Sequence, residues 1–199
     1  TFILKNDGSV WACGSNDSGQ LGLGDIIVCK SFTQVTTNVN NDVKQVACGG
    51  SHTYILKNDG TVWSCGNNKD GQLGLGTSDT NAHSTFTQVT TNISNIKQIA
   101  CGCNYTVILK NDGSLWVCGD NSKGQLGLND TTDRTTFTQV TTNVKQVACG
   151  YYHTFILKND GSVWCCGGNA DDQLGLNSTS SYISTFTQVT TNINKDVRQ

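Results

Sequence analysis

The sequence predicts an all-β chain that folds as a β-propeller built of four-stranded antiparallel blades. Two observations support this prediction: the chain contains four in-register copies of one repeat, and each copy divides into four short segments of strand character. The composition agrees with it. Pro, Met and Glu are absent, and the abundant Thr, Asn, Val and Gly favour strands and turns over helices.

Three strings recur in a fixed order and define the repeat. GQLGL begins at residues 19, 71 and 124, and DQLGL replaces it at 172, so that the glutamines are 52, 53 and 48 residues apart. LKNDG precedes a single Trp in each copy, and FTQVTTN follows. Four strands in such a period are typical of a propeller blade, whereas a leucine-rich repeat is shorter. We expect one domain with repeats at about 1–43, 44–96, 97–144 and 145–199.

The second copy shows how the strands are assigned. Asn58-Asp59-Gly60 is expected to form a hairpin turn, because Gly accepts a positive φ without a Cβ clash. A Gly-rich loop over 66–76 then crosses to the fourth strand. The strands themselves are expected at 44–49, 52–58, 61–66 and 86–92. The recurrent tryptophans are expected to pack between blades; they are Trp11, Trp63, Trp116 and Trp164.

The stretch from Ala47 to Gly76, ACGGSHTYILKNDGTVWSCGNNKDGQLGLG, resembles the regulator-of-chromosome-condensation repeat. It has that family's small-residue-CG stretch, His-Thr pair, DG hairpin, Trp strand and GQLG loop, and the resemblance extends over all four copies. The resemblance implies a propeller that usually has seven blades and acts mostly through protein contacts. The chain departs from the family pattern in lacking Pro and in carrying Tyr105 where His52 and His153 stand in other copies.

Both termini are expected to fall inside a blade. Thr1 matches Thr53 of the second copy, and Gln199 matches Gln45 near the start of an inner strand. We therefore expect about four blades of a longer array, which would form a partial ring of a seven-bladed propeller. The alternative is that two copies of the chain associate to complete one ring.

Charge and motif spacing narrow the function classes. The formal net charge is −2 and only two Arg occur, which gives no electrostatic case for binding nucleic acid. No apolar run approaches the length that spans a membrane. No Ser/His/Asp order recurs, no helix is expected after GQLGLG to hold a phosphate, and the Asp-Gly pairs need no calcium as hairpin turns. We expect no enzyme, no cofactor and no metal site.

Seven of the ten cysteines occupy two repeated sites. One site lies two residues after each Trp (Cys13, Cys65, Cys118, Cys166), and the other lies in the ACG strand (Cys48, Cys101, Cys149). This recurrence favours a structural role, in which the cysteines serve as small apolar residues of a tight inner layer. A disulfide between the two cysteine sites of one blade is the alternative. Cys29 and Cys103 are the candidates for exposed thiols. Free thiols favour a reducing compartment such as the cytoplasm; a cell-surface or appendage location is the alternative.

The copies differ most between the GLG loop and FTQ, over 25–31, 77–85, 130–136 and 178–185. Aromatic and apolar residues on loops suit a protein-binding surface, although they could equally cap the blades. The candidate partner-binding residues are Ile26, Ile27, Val28, Arg134, Tyr151, Tyr152, Tyr182 and Ile183.

The leading interpretation is a non-catalytic protein–protein interaction scaffold that uses loops on one propeller face. Guanine-nucleotide exchange on a small GTPase is one alternative within the resembled family, but no long insertion here could act as a wedge against the nucleotide. A microbial or phage surface or appendage module is a second alternative, which the near-identical repeats also fit.

Overall fold

A computed structural model describes residues 1–39, 41–91 and 93–190, which contain fifteen strands and no helix. No helix of this described part is therefore available to cross a membrane. Residues 191–199, with which the fourth expected repeat ends, lie outside the described residues. The strands are β1 (Phe2–Leu4), β2 (Val10–Gly14), β3 (Cys29–Gln34), β4 (Val43–Cys48), β5 (His52–Lys57), β6 (Val62–Asn68), β7 (Asp79–Val89), β8 (Ile96–Cys101), β9 (Tyr105–Lys110), β10 (Leu115–Gly119), β11 (Arg134–Thr141), β12 (Val144–Cys149), β13 (His153–Lys158), β14 (Val163–Gly168) and β15 (Tyr182–Gln188).

The strands form four antiparallel sheets, which we number blade 1 to blade 4. Blades 2, 3 and 4 contain β4–β7, β8–β11 and β12–β15, and each strand pairs with its neighbours in chain order. Blade 1 contains β1–β3 among the described residues. The prediction of an all-β chain with four-stranded antiparallel blades is confirmed.

The fourth strand of each repeat begins earlier than the sequence predicts. β7 starts at Asp79, well ahead of Phe86, and β11 starts at Arg134. Register shifts on both sides of Gly66 let the ladder between β6 and β7 continue past this irregular position. The expected loop at 77–85 is therefore largely strand, and Arg134, Tyr182 and Ile183 lie in strands.

The first strands of successive blades lie side by side and are joined by glutamine side chains. Gln45 Nε2 donates to the Ile99 carbonyl at 2.8 Å, and the Ile99 N–H donates back to Gln45 Oε1 at 3.3 Å. Gln98 makes the same pair of bonds with Val147, at 2.9 and 3.4 Å. Each glutamine amide thus satisfies the N–H and the carbonyl of one residue in the first strand of the next blade. These bonds hold β4, β8 and β12 next to one another along the inner edge of the blades.

The GQLGL loop of each blade docks on the next blade along the chain. Thr53 Oγ1 donates to the Gln20 carbonyl at 2.8 Å, and the Cys65 thiol reaches the same oxygen at 3.5 Å. The Phe86 ring covers Gly22, where an added Cβ would lie 2.3 Å from the ring. The corresponding bonds to Gln72 and Gln125 come from Thr106 and Cys118 of blade 3 and from Thr154 and Cys166 of blade 4.

The His-Thr position is part of this contact between blades. His52 Nε2 lies 2.8 Å from Thr106 Oγ1 of the next blade, so its partner is a side-chain hydroxyl. Burial lowers the pKa of His52 to about 4, which leaves the ring neutral at neutral pH. In the third copy the Tyr105 hydroxyl donates to the Gly150 carbonyl of the next blade at 3.2 Å. Tyr105 therefore replaces the histidine in the same structural role.

All ten cysteines are free thiols. Cys65, Cys118 and Cys166 are fully buried, as expected for the site after Trp. Burial raises the pKa of Cys65 and Cys166 well above the ordinary value, so both stay protonated. The expectation for the ACG site needs correction, because Cys48 is the exposed thiol while Cys29 and Cys103 are half-buried. Blade 1 supplies no inner strand among the described residues, which leaves Cys48 uncovered.

Trp63, Trp116 and Trp164 pack against the core of the preceding blade, as predicted, but each is only half-buried. Trp63 contacts the core that contains Val10 and Ala12 of blade 1. Its indole Nε1 donates to Thr61 Oγ1 at 3.0 Å, and Lys57 Nζ lies 4.7 Å from the ring centroid. The same arrangement of Lys, Asp, Ser and Trp recurs in the other three blades. A cation–π contact thus caps the solvent side of each indole.

The four hairpin-turn carboxylates should make the chain sensitive to acid. Hydrogen bonds from the hydroxyl and N–H two residues later hold the pKa of Asp7, Asp59, Asp112 and Asp160 below the ordinary value. A lowered folded-state pKa means that this stabilisation is complete above the ordinary aspartate pKa and is lost as the pH falls through the lowered one. We expect Tm to fall between about pH 5 and pH 3. Changing all four residues to Asn should make that dependence less steep, and Asp171→Asn should leave it unchanged; Asp17, Asp79 and Asp130, whose pKa values are also lowered, keep the remainder. A four-fold variant with the wild-type pH profile would contradict this prediction.

Candidate protein-interaction surface

Two sets of connections lie at the same end of the sheet in blades 2, 3 and 4, and blade 1 has the second of these sets among the described residues; we call this end the loop face. One set joins the first and second strands, and the other joins the third and fourth. The two sets are hydrogen-bonded to each other in each complete blade. The Asn67 N–H donates to the Ser51 carbonyl at 2.8 Å, and the Gly168 N–H donates to the Tyr152 carbonyl at 2.7 Å. The hairpin turns, such as the one at Asp59, lie at the opposite end.

A buried asparagine fixes the long connection of each blade. In blade 2, Asn68 Oδ1 accepts the Leu73 N–H at 3.2 Å, and Asn68 Nδ2 donates to the Thr77 carbonyl at 2.9 Å. The equivalent residues are Asn16, Asn121 and Asn169, which make matching bonds. The sequence analysis missed these residues, although they recur four residues before each Gln. The connections are thus rigid supports for the residues that differ between copies.

Ile26, Ile27 and Val28 form an apolar tip on blade 1. Their exposed fractions are 55%, 70% and 55%. Asp25 Oδ1 accepts both the Ile27 N–H, at 3.0 Å, and the Asn16 side-chain amide, at 3.0 Å. The buried asparagine therefore positions this tip away from the core, where it contributes little to packing.

Three tyrosines lie together on blade 4, and we call them the tyrosine edge. Tyr151 and Tyr152 meet edge to face, with ring centroids 4.5 Å apart. Tyr182 is the strand partner of Gly168, whose backbone also bonds Tyr152. A Cβ added to Gly168 would lie 3.4 Å from the Tyr152 Cβ, so this glycine leaves room beside Tyr152. The exposed fractions of the three are 63%, 36% and 44%, which is unusual for residues of this size.

Cys103 of blade 3 contacts the tyrosine edge. Its N–H donates to the Tyr151 carbonyl at 3.1 Å. A hydrogen bond from the Tyr151 hydroxyl to the Cys103 side chain favours the neutral phenol and raises the pKa of Tyr151 to about 12. The Tyr151 hydroxyl is therefore neutral at physiological pH and can both donate and accept a hydrogen bond.

Two of the predicted residues support the surface without being presented on it. Ile183 is half-buried and packs against the blade 4 core around Leu174. Arg134 Nη2 donates to Asp130 Oδ2 at 2.6 Å within its own connection. This hydrogen bond holds the pKa of Asp130 below its ordinary value. The predicted set thus divides into an apolar tip on blade 1, a tyrosine edge on blade 4, and two supporting residues.

The loop face is acidic, which the small overall charge conceals. The connections between third and fourth strands, taken together with the adjoining strand ends, cover residues 15–31, 67–85, 120–136 and 169–185, and these segments carry nine Asp and four Lys or Arg. The other described residues carry seven Lys and five Asp. Burial, together with the neighbouring Asp120 and Asp133, raises the pKa of Asp70. Negative charge is therefore crowded where blades 2 and 3 meet. Among the described residues, no three His, Cys, Asp or Glu side chains are grouped closely enough to hold a metal ion.

A family model for the RCC1-like domain matches residues 1–199. The chain belongs to the RCC1-like domain family. Solved structures agree on the fold: human WBSCR16 superposes with a TM-score of 0.85 at 24% identity over 95% of this chain. Prp20p from Saccharomyces cerevisiae superposes with a TM-score of 0.83 at 22% identity over 96%. The resemblance read from the repeat, and the partial propeller it implies, are confirmed.

Curated relatives of this RCC1-like chain are more similar in sequence but much longer. The X-linked retinitis pigmentosa GTPase regulator of Canis lupus familiaris is 39% identical over 143 residues, which are 71% of this chain and 14% of that protein. The secretion-regulating guanine nucleotide exchange factor of Bos taurus is 36% identical over 60% of this chain and 26% of its own length. The chain spans about half of the two solved structures, 50% and 48%.

Proposed function

We propose that this RCC1-like chain is a non-catalytic interaction module whose loop face binds a protein partner. The tyrosine edge is the observation that carries the proposal. Exposed tyrosines offer a large, rigid contact area with little loss of side-chain entropy, and such residues dominate protein interfaces. Their backbone is fixed by hydrogen bonds to the neighbouring connections, so the surface exists before binding.

The charge of the loop face indicates the partner's chemistry. A surface with nine Asp and four basic residues attracts a partner with a basic patch and repels an acidic one. Exposed charges act mainly on the association rate and are screened by salt. We therefore expect binding to be faster at low ionic strength, with the tyrosine edge supplying most of the specific contact.

A small GTPase is the partner class that the relatives' names favour. One curated relative is named a GTPase regulator and another a guanine nucleotide exchange factor. Exchange requires an element that displaces the nucleotide, and the connections of this chain differ little in length from copy to copy. Binding without exchange is therefore the function we favour. Faster GDP release from a captured GTPase in the presence of the chain would establish exchange instead.

Replacing the tyrosine edge should abolish partner capture. We expect Tyr151→Ser/Tyr152→Ser/Tyr182→Ser to reduce the amount of partner retained on the immobilised chain at least about tenfold, because centrally placed aromatic residues dominate interface energies. The measurement is quantitative mass spectrometry of proteins retained at low and high salt.

The control is a change on the opposite face. Lys44→Ser/Lys145→Ser alters two exposed lysines near the hairpin turns and should retain the partner as the wild type does. Ile26→Ser/Ile27→Ser/Val28→Ser tests the tip on blade 1 separately. If the tyrosine variant keeps its urea midpoint and still captures the same partner, the tyrosine edge is not the binding site.

A further inference from the structure

A β-bulge recurs in the first strand of blades 2, 3 and 4, and its extra residue is a lysine each time. In blade 2 the residues on either side of Lys44 pair with Lys57 and Leu56 of β5, which leaves Lys44 without a partner in that strand. The same register shift leaves Lys97 unpaired in β8 and Lys145 unpaired in β12. A bulge re-aims the side chain of its extra residue. We call Lys44, Lys97 and Lys145 the lysine row.

The lysine row lies on the face of the hairpin turns, opposite the tyrosine edge. Lys44 lines an open groove between blades 2 and 3, together with Asn58 of one hairpin turn and Asn111 of the next. Lys97 Nζ donates to the Lys145 carbonyl at 2.7 Å, so these two members of the row are direct neighbours. All three lysines are exposed, including Lys97, which has a complete blade on either side. The row is therefore a surface within the array of blades.

The positive charges of the row have no counter-charge among the described residues, because none of the three lysines forms an ion pair there. Asp42, two residues before Lys44, pairs instead with Lys57 at 3.7 Å. The later copies have Asn95 and Asn143 at that position, which carry no charge. The hairpin aspartates of this face accept hydrogen bonds from hydroxyls in their own turns. The row is thus a line of unpaired ammonium groups.

We infer that the lysine row binds an extended acidic peptide segment whose carboxylates stand at alternate positions. Alternate side chains of an extended chain point to one side and are about 6.6 Å apart. Cα atoms of β4 and β8, and of β8 and β12, approach within 8 Å of each other, so flexible lysine side chains can match that spacing. Each carboxylate accepts a charge-assisted hydrogen bond from one ammonium group. Duplex nucleic acid fits less well, because the hairpin aspartates of the same face repel its phosphates.

Fluorescence anisotropy at low ionic strength, with a labelled peptide in which Glu and Gly alternate, tests this inference. The chain should bind this peptide and should not bind the same peptide with Gln in place of Glu. Lys97→Gln should weaken binding at least about threefold, and the triple change of the row to Gln at least about twentyfold. Lys123→Gln removes one exposed positive charge from the loop face and should leave the affinity for this peptide within about twofold of the wild type.

Two further measurements make the result decisive. A peptide of equal charge with its Glu residues in one block should bind more weakly than the alternating peptide, and the urea midpoint of each variant should equal that of the wild type. Equal affinity for the Glu and Gln peptides would overturn the inference, as would equal losses for Lys97→Gln and Lys123→Gln. Tighter binding of a labelled DNA duplex than of the peptide would also overturn it. None of these outcomes bears on the loop-face proposal, because the row lies on the opposite face.

Discussion

Gly124→Ala should destabilise the chain by about 3 kcal/mol or more, as expected for a side chain forced against a backbone that cannot move. An added Cβ would lie 2.4 Å from the Ser184 Cα and 3.0 Å from the Ser184 nitrogen in the outer strand of blade 4. The residue also has φ of +71°, where L-residues are strained. Urea denaturation followed by tryptophan fluorescence measures the change.

Gly161→Ala is the matched control for this prediction. Gly161 has a φ of +84° in a hairpin turn, and an added Cβ would meet no atom within 4 Å. The substitution should lower the free energy of unfolding only by the cost of backbone strain at a positive φ, about 1 kcal/mol. Equal losses for the two variants would mean that close approach between blades contributes nothing, and that the repeated glycines serve only the loop conformation.

Phe137→Ala should also destabilise the chain strongly. We expect the free energy of unfolding to fall by about 3–5 kcal/mol, as is typical when a buried aromatic side chain is truncated. Phe137 is 3% exposed, covers Gly74 of the preceding blade and meets the Tyr54 ring edge to face with centroids 6.2 Å apart. Its removal opens a cavity where blades 2 and 3 meet. Thermal and urea unfolding, compared at equal protein concentration, give the change.

The repeat supplies its own control for Phe137. Phe32 occupies the same position in blade 1 but is 42% exposed. Phe32→Ala should therefore lower the free energy of unfolding of the 199-residue chain by less than about 1 kcal/mol. A similar loss for both variants would contradict the view that this residue acts by joining consecutive blades.

The fold could be predicted because the strings that recur also carry the local structure. A turn such as Asn58-Asp59-Gly60 needs only its own residues, and the alternation in HTYILK places a strand without help from the rest of the chain. The early start of β7 could not be predicted. It depends on a bulge opposite Gly66, which only the paired strand defines.

The candidate surface was predictable where exposure follows from chain position. Tyr151 and Tyr152 stand where the second copy has Gly50 and Ser51, so their exposure on a short connection was expected. Arg134 and Ile183 were different cases. Arg134 is held by Asp130 in its own connection, and Ile183 faces the core because β15 already begins at Tyr182. The acidic loop face became visible only once the topology placed the connections together.

The roles of the repeated Thr and Cys required the structure. In the sequence, the threonine is recognisable only as half of a His-Thr pair, and the cysteine only as a small residue of the inner layer. In space both donate to one loop carbonyl of the preceding blade, as Thr154 and Cys166 do to Gln125. Residues shared by all copies thus join the blades, which leaves binding to the positions where the copies differ.

Hydrogen exchange on Gly124→Ala and Gly161→Ala tests this claim most directly. If repeated residues join blades, Gly124→Ala should speed amide exchange in the strands on both sides of the junction between blades 3 and 4. Gly161→Ala should speed it only near its own turn. Equal exchange in both variants, or an effect of Gly124→Ala confined to its own loop, would show that the blades are stable independently and that the account is wrong.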